Sequence, residues 1–234
     1  MPRRSLTDRL VRRVYYKYFA RNLLYELQMR ARSEAADYVQ AHMTDALIFE
    51  KAGALLRYCV DEAPAGAILE FGVAGGNTIR EIGARAKNRP VHGFDSFEGL
   101  PEHWSGHVTM RGAFNQGGKL PSVPENVTLH KGWFEATLPA WKAAHADRVG
   151  FLHVDCDIYS SARFVLANLA DRFQIGTVIR FDEYFNYPNW RQHEFRAWQE
   201  TVAAFDLRYD YIAFQAQDGA VAVRITDLGK LAPA

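Results

Sequence analysis

From residue 67 onward the chain alternates short apolar runs with segments long enough for a helix. Ala67–Phe71 stops at Gly72, while Val91–Asp95, Val149–Asp155 and Thr177–Asp182 each stop on an aspartate. Asn126–Lys131 is a fifth such run. The helix-length segments are Asn77–Lys87, Glu135–His145, Ser160–Phe173 and Trp190–Phe205. Apolar runs this short read as strands covered on both faces. Strands alternating with helices pack as a mainly parallel sheet between two helical layers. Two last runs, Tyr209–Ala216 and Ala220–Ile225, flank Gln217-Asp218-Gly219. Asp-Gly between apolar runs marks a hairpin, which adds an antiparallel strand at one end. The expectation is an α/β fold with a Rossmann-like, seven-stranded, mostly parallel sheet.

Residues 6–60 read instead as helical, with Val11, Tyr15, Tyr18, Phe19 and Leu23 recurring near the helical period. A second stretch starts at Ser33, a candidate cap, and a third covers Asp45–Tyr58. Asp61–Gly66, with Pro64, breaks the pattern. This gives an N-terminal helical extension over 1–62 and one large domain over 63–234. With 13% aromatic residues and a net charge of +1, intrinsic disorder is excluded. No apolar run reaches the roughly 18 residues a bilayer span needs. Arg12, Arg13, Lys17 and Arg21 interrupt any secretory signal. Two cysteines make no disulfide framework, so a reduced, cytoplasmic setting is expected.

The near-neutral total hides an asymmetry. Residues 1–32 carry nine basic groups, Arg3 and Arg4 among them, against Asp8 and Glu26. That block is +7, and the rest of the chain is −6. Contact with nucleic acid or an anionic membrane is one reading. The preferred one is a helix that packs on the domain or on a second subunit, because Tyr15, Tyr16, Tyr18, Phe19 and Tyr25 suit packing. A homo-oligomer, a dimer through these helices, is expected, with no nucleic-acid partner and no membrane span.

In open α/β sheets ligands bind beyond the carboxyl ends of the strands. The first strand ends Glu70-Phe71-Gly72-Val73-Ala74-Gly75-Gly76, followed by a helix opening at Asn77-Thr78. Glycines permit a tight turn and close ligand approach, and the helix start offers free N–H groups. The loop fails the dinucleotide pattern G-x-G-x-x-G. It fits acid-x-Gly-x-Ala-x-Gly, which resembles the first motif of Rossmann-like S-adenosylmethionine (SAM) methyltransferases. Asp95, 23 residues after Gly72, suits a ribose diol.

The fourth strand ends His153-Val154-Asp155-Cys156-Asp157, and the fifth Arg180-Phe181-Asp182-Glu183. Four carboxylates at neighbouring strand ends need a cation or a proton between them. Oxygen ligands of this kind suit Mg²⁺ or another hard divalent ion, and a metal there would hold and orient a substrate hydroxyl. His193, after the fifth strand, is a candidate general base. His153 reads as a core histidine. The Gly- and Pro-rich loop 96–125 holds His103, Trp104, His107 and Arg111 as candidate substrate contacts.

Residues Ile68–Glu200 resemble the macrocin O-methyltransferase family. The resemblance rests on Glu70-Phe71-Gly72-Val73, on Gly93-Phe94-Asp95-Ser96-Phe97-Glu98-Gly99-Leu100-Pro101, on Lys131-Gly132-Trp133-Phe134 and on Asp155-x-Asp157-x-Tyr159. It implies a class I SAM methyltransferase that moves a methyl group to a sugar or natural-product hydroxyl with Mg²⁺ assistance. It implies that Glu70, Phe71, Gly72, Gly75, Gly76, Asn77, Thr78, Asp95, Ser96 and Asp155 hold SAM, with Trp133 or Phe134 beside the adenine. It assigns Asp155 a catalytic role and places the metal on Asp155, Asp182 and Glu183. Glu183 departs from the family's paired aspartates. Two other classes stand beside this reading: a non-catalytic or nucleic-acid-binding protein using the +7 block, and an NAD-dependent oxidoreductase. The carboxylate cluster opposes the first, and the failed glycine fingerprint opposes the second.

Overall fold

A computed structural model describes residues 6–232, so Arg3 and Arg4 lie outside the described residues. In chain order the elements are α1 (Leu6–Tyr18), α2 (Leu23–His42), β1 (Leu47–Phe49), α3 (Ala52–Glu62), β2 (Ala67–Phe71) and α4 (Asn77–Ala86). Then follow β3 (Val91–Asp95), β4 (Val127–Lys131), α5 (Phe134–Ala144), β5 (Val149–Val154) and α6 (Tyr159–Leu169). The chain ends with β6 (Val178–Phe181), α7 (Glu194–Phe205), β7 (Arg208–Gln215) and β8 (Val221–Asp227).

The strands form one eight-stranded sheet in the order β1-β7-β8-β6-β5-β2-β3-β4. β8 alone runs against the others among the described residues, pairing antiparallel with β6 and β7. The central strands β2, β5 and β6 are buried along nearly their whole length, as continuous apolar runs require. One face packs Leu55, Leu56, Ile79 and Ile82 of α3 and α4 against Ile68, Phe151 and Val178. The other face carries the larger core, with Trp141, Leu166 and Trp198 from α5, α6 and α7.

Two stretches differ from the sequence expectation. The sheet gains an eighth strand, because Leu47–Phe49 pairs parallel with Ala213–Gln215 of β7 instead of opening a helix at Asp45. Three apolar residues carry no periodicity that separates strand from helix, and the free edge of β7 decides it. α2 runs unbroken through Ser33 for 20 residues, and its cap is Asn22, whose Oδ1 accepts from Tyr25 N at 3.2 Å.

α2 is tied to the sheet through hydroxyls. Tyr211 on β7 meets Tyr38 of α2 at 2.7 Å, Tyr184 at 2.6 Å and Tyr209 at 3.1 Å. Gln199 Nε2 donates to both Tyr184 and Tyr209 at 3.1 Å. Buried phenols need such partners, and here four of them satisfy one another.

Candidate active site

The strand order turns back at β2. The chain leaves β2 toward β3 on one side and leaves β5 toward β6 on the other, which opens a crevice beyond the carboxyl ends of β2 and β5. The two strand ends touch there. Asp155 N donates to Phe71 O at 2.9 Å, and Gly72 N donates to Phe94 O at 3.0 Å. Gly72 turns with φ +96°, and a Cβ on it would sit 1.7 Å from the Asp155 carbonyl oxygen. No side chain fits, which is the physical reason for glycine.

Asp95 closes the loop from β3. Its Oδ2 accepts from Val73 N at 2.8 Å and Ala74 N at 2.7 Å, and its Oδ1 accepts from Phe97 N at 2.6 Å. Arg80 of α4 holds the other side, donating to Gly75 O at 3.1 Å and Asn77 Oδ1 at 2.7 Å. The result is a preformed backbone cradle.

Beside it lies a cavity of about 440 Å³. It is lined by Gly72, Gly75, Asn77 and Thr78, by Asp95 and Ser96, by Trp133 and Phe134, and by Asp155, Asp157, Asp182 and Glu183. Residues from five strand ends that are far apart in sequence thus meet around one volume large enough for a cofactor-sized ligand.

The acids divide into two sets. Asp155, Asp157 and Glu183 place their carboxylate oxygens within 4.8 Å of one another. Burial, then Asp182 and Asp157, pushes Asp155 well above the usual carboxylate range. Burial and Asp182 push Asp157 up to about 7. Burial, Asp182 and Asp157 push Glu183 up as well. Glu183 Oε2 is buried without a partner among the described residues. Asp182 stands apart from this trio. Although burial raises it, Arg180 holds it below its ordinary value, with Nη2 donating to Oδ1 at 2.6 Å.

Arg180 ends a row of buried polar groups that crosses three strands. Glu70, His153 and Arg180 are direct register neighbours on β2, β5 and β6. His153 Nδ1 donates to Glu70 Oε1 at 2.8 Å, and its Nε2 accepts from Arg180 Nη1. The imidazole thus bridges the Glu70 carboxyl and the Arg180 guanidinium. The row neutralises its own charge and sets the position of Asp182 at the cavity.

Glu194, the first residue of α7, is fully buried and joins the two acidic strand ends. Its Oε1 accepts from Cys156 N at 3.1 Å, and its Oε2 accepts from Glu183 N at 3.2 Å. Burial lifts its carboxyl to about 8. Neither Glu194 nor Arg180 was expected from sequence, since each sits within an otherwise ordinary helix or strand pattern.

The expected site residues are placed as follows. Gly72, Gly75, Asn77, Thr78, Asp95, Ser96, Trp133, Phe134, Asp155, Asp182 and Glu183 all line the cavity. Gly76 caps α4 next to it with φ +80°. Phe71 does not line it: the ring is buried, stacked on Phe94 at 4.4 Å. Glu70 is also buried away from the lining, engaged by His153. Of the two aromatics, Phe134 packs edge-on against Phe71, and Trp133 keeps 41% of its surface exposed. His193 is not brought to the cavity; it caps α7 with Nε2 donating to Ser105 O at 2.8 Å, beside Trp104 and Tyr187. The His193 ring is thus held by a loop carbonyl outside the cavity lining, whereas Asp155 and Asp157 lie within it. His103, Trp104, His107 and Arg111 are likewise outside the lining, to which the loop contributes Gly99, Leu100, Pro101 and Phe114.

Residues 69–184 match the family described as a methyltransferase domain. Over 160 residues, 55% of this chain, the sequence is 31% identical to 8-demethyl-8-(2,3-dimethoxy-alpha-L-rhamnosyl)-tetracenomycin-C 4'-O-methyltransferase of Streptomyces olivaceus. That match spans 58% of the relative's length. The fold superposes on the calicheamicin methyltransferase CalS11 with a TM-score of 0.57, at 18% identity over 95% of this chain and 94% of that one. It superposes on the O-methyltransferase NovP with a TM-score of 0.54, at 24% identity over 74% of this chain and 79% of that one. TomG of Streptomyces achromogenes, an O-methyltransferase solved in complex with SAM, gives a TM-score of 0.51 at 14% identity, over 95% of this chain and 100% of that one.

Proposed function

We propose that this chain, whose residues 69–184 match a methyltransferase domain, is a class I SAM-dependent enzyme that transfers a methyl group to a hydroxyl of a small molecule, a sugar or a glycosylated natural product. The supporting observation is one cavity shared by the glycine cradle with Asp95 and by the trio Asp155, Asp157 and Glu183. The first pair suits an adenosine ligand, and the trio suits an acceptor oxygen that must lose a proton. The Streptomyces olivaceus relative is named for 4'-O-methylation of a rhamnosyl tetracenomycin, which favours a sugar acceptor.

When bound, SAM would supply an electrophilic methyl group to the acceptor oxygen, its sulfonium S–CH₃ bond breaking to leave S-adenosylhomocysteine. Gly72 and Gly75 let the backbone approach the ligand, and the start of α4 offers free N–H groups to it. Asp95 keeps acceptor capacity for ribose hydroxyls while it holds the loop. Trp133, exposed at the cavity, offers a ring face for the adenine. Asp155 and Asp157, both raised above their ordinary values by burial and by Asp182, are placed at the cavity to take the hydroxyl proton as the bond to carbon forms. Rate is gained chiefly by holding oxygen and methyl carbon in line.

The donor set fits a hard divalent cation, because three convergent carboxylates include one orphaned buried oxygen. Asp155, Asp157 and Glu183 would hold Mg²⁺, with Asp182 beside them anchored on Arg180. When bound, the ion supplies positive charge that favours the deprotonated acceptor oxygen.

Isothermal titration calorimetry tests the cofactor: SAM binds, and binding of NAD without SAM overturns the reading. Labelled SAM offered with a panel of glycosides identifies the acceptor. Activity lost in EDTA and restored by Mg²⁺ supports the ion, and unchanged activity in EDTA removes it.

A further inference from the structure

Helix α1 stands apart from the site, and its surface is unlike the rest of the molecule. At about 100° per residue, Leu6, Leu10, Val11 and Val14 share one half of the helix. Arg9, Arg12, Arg13 and Tyr16 share the other, with Lys17 at the seam. All four apolar side chains are exposed, Leu6 by 82% and Leu10 by 63%. On the basic side Arg9, Arg12, Arg13, Tyr16, Lys17 and Arg21 line a shallow depression of about 550 Å³. Arg12, Arg13, Lys17 and Arg21 form no ion pair among the described residues. The helix is set on the start of α2 by aromatics: Tyr15 stacks on Phe19, and Phe19 meets Tyr25 edge-on at 4.9 Å. The apolar stripe takes no part in that packing.

We propose that α1 docks the protein on an anionic bilayer surface. The apolar stripe enters the boundary between headgroups and acyl chains, and the cations rest on lipid phosphates. Charge complementarity selects this occupant. Two copies meeting through their stripes would bury the apolar residues but leave the cations facing water, with Asp8 as the single acid of the helix. A nucleic-acid duplex would answer the cations and leave Leu6, Leu10, Val11 and Val14 in water. An anionic bilayer answers both faces together. The remainder of the chain, at −6, is repelled by the same surface, so the helix also orients the body away from it.

Co-sedimentation of the full chain with vesicles tests this. Binding is expected to vesicles of phosphatidylglycerol and phosphatidylcholine and to be at least about tenfold weaker to phosphatidylcholine alone. Leu10→Glu and the pair Arg12→Glu with Arg13→Glu should each weaken binding by about tenfold or more while the thermal melt of the body is unchanged. Failure to bind anionic vesicles overturns the proposal. So does a dimer in light scattering that Leu10→Glu dissociates, which would assign the stripe to a second copy. Tighter binding to duplex DNA that Leu10→Glu leaves intact would overturn it as well.

Discussion

Gly72 has the least freedom of any residue in the cradle. With φ at +96° and the Asp155 carbonyl against its α-carbon, Gly72→Ala must push two strand ends apart. A cost of about 2 kcal/mol or more is expected, with SAM binding lost in the same variant. Gly75 has open space around the position of a Cβ and a backbone that an alanine adopts, so Gly75→Ala should keep wild-type stability. Chemical denaturation of the pair separates backbone strain from mere loss of a glycine. Glu194 offers a different test. Glu194→Gln keeps the shape but turns one acceptor into a donor facing an N–H, at Cys156 or Glu183. Loss of one buried hydrogen bond, about 1 kcal/mol, predicts kcat down about fivefold. SAM affinity should hold, because the cradle on β2 is untouched. Equal losses in kcat and SAM affinity would show that Glu194 supports the whole cleft instead.

At the scale of strands and helices, the carboxyl ends of β5 and β6, with Glu194 between them, hold carboxyl groups that burial raises above their ordinary values. Asp157 is raised to about 7 and Glu194 to about 8. The folded state therefore binds more protons than the unfolded chain, and stability is lost as pH rises from roughly 4 toward 8. Asp182 does not oppose this, because its depressed value contributes stability that is complete above the ordinary carboxylate range. Melting temperature without ligands should fall between pH 5 and pH 8, and added Mg²⁺ should recover part of it at pH 8. A flat profile would mean that the cluster is hydrated and ionised. Much of this arrangement was legible in sequence. Apolar runs that stop at Gly72, Asp95, Asp155 and Asp182 locate the strand ends, and topology gathers strand ends at one edge of the sheet. The partners of those acids were not legible. Arg180 and His153 lie inside apolar runs and become charge partners only through cross-strand register. Glu194 looks like an ordinary first-turn glutamate until α7 is laid against both loops. Asp157 adopts φ +63°, a conformation that its type tolerates but does not announce.

For the molecule as a whole, the hydroxyl hub at Tyr211 links α2 to the sheet and to α7. Tyr211→Phe leaves the hydroxyls of Tyr38, Tyr184 and Tyr209 short of a shared partner. A loss of about 2 kcal/mol is expected, seen in denaturant unfolding. Hydrogen exchange should quicken in α2 before it quickens in α5 or α6, which do not depend on the hub. The parallel pairing of β1 with β7 carries a further consequence. Leu47–Phe49 occupies the backbone groups of the last strand in the sheet. A polypeptide trimmed to begin at the domain start expected from sequence, residue 63, would bare Ala213–Gln215 of β7 as an open, partly apolar template for a neighbouring chain. Such a fragment should form strand-paired aggregates even with every residue of the cavity lining intact, so the short segment before α3 guards solubility.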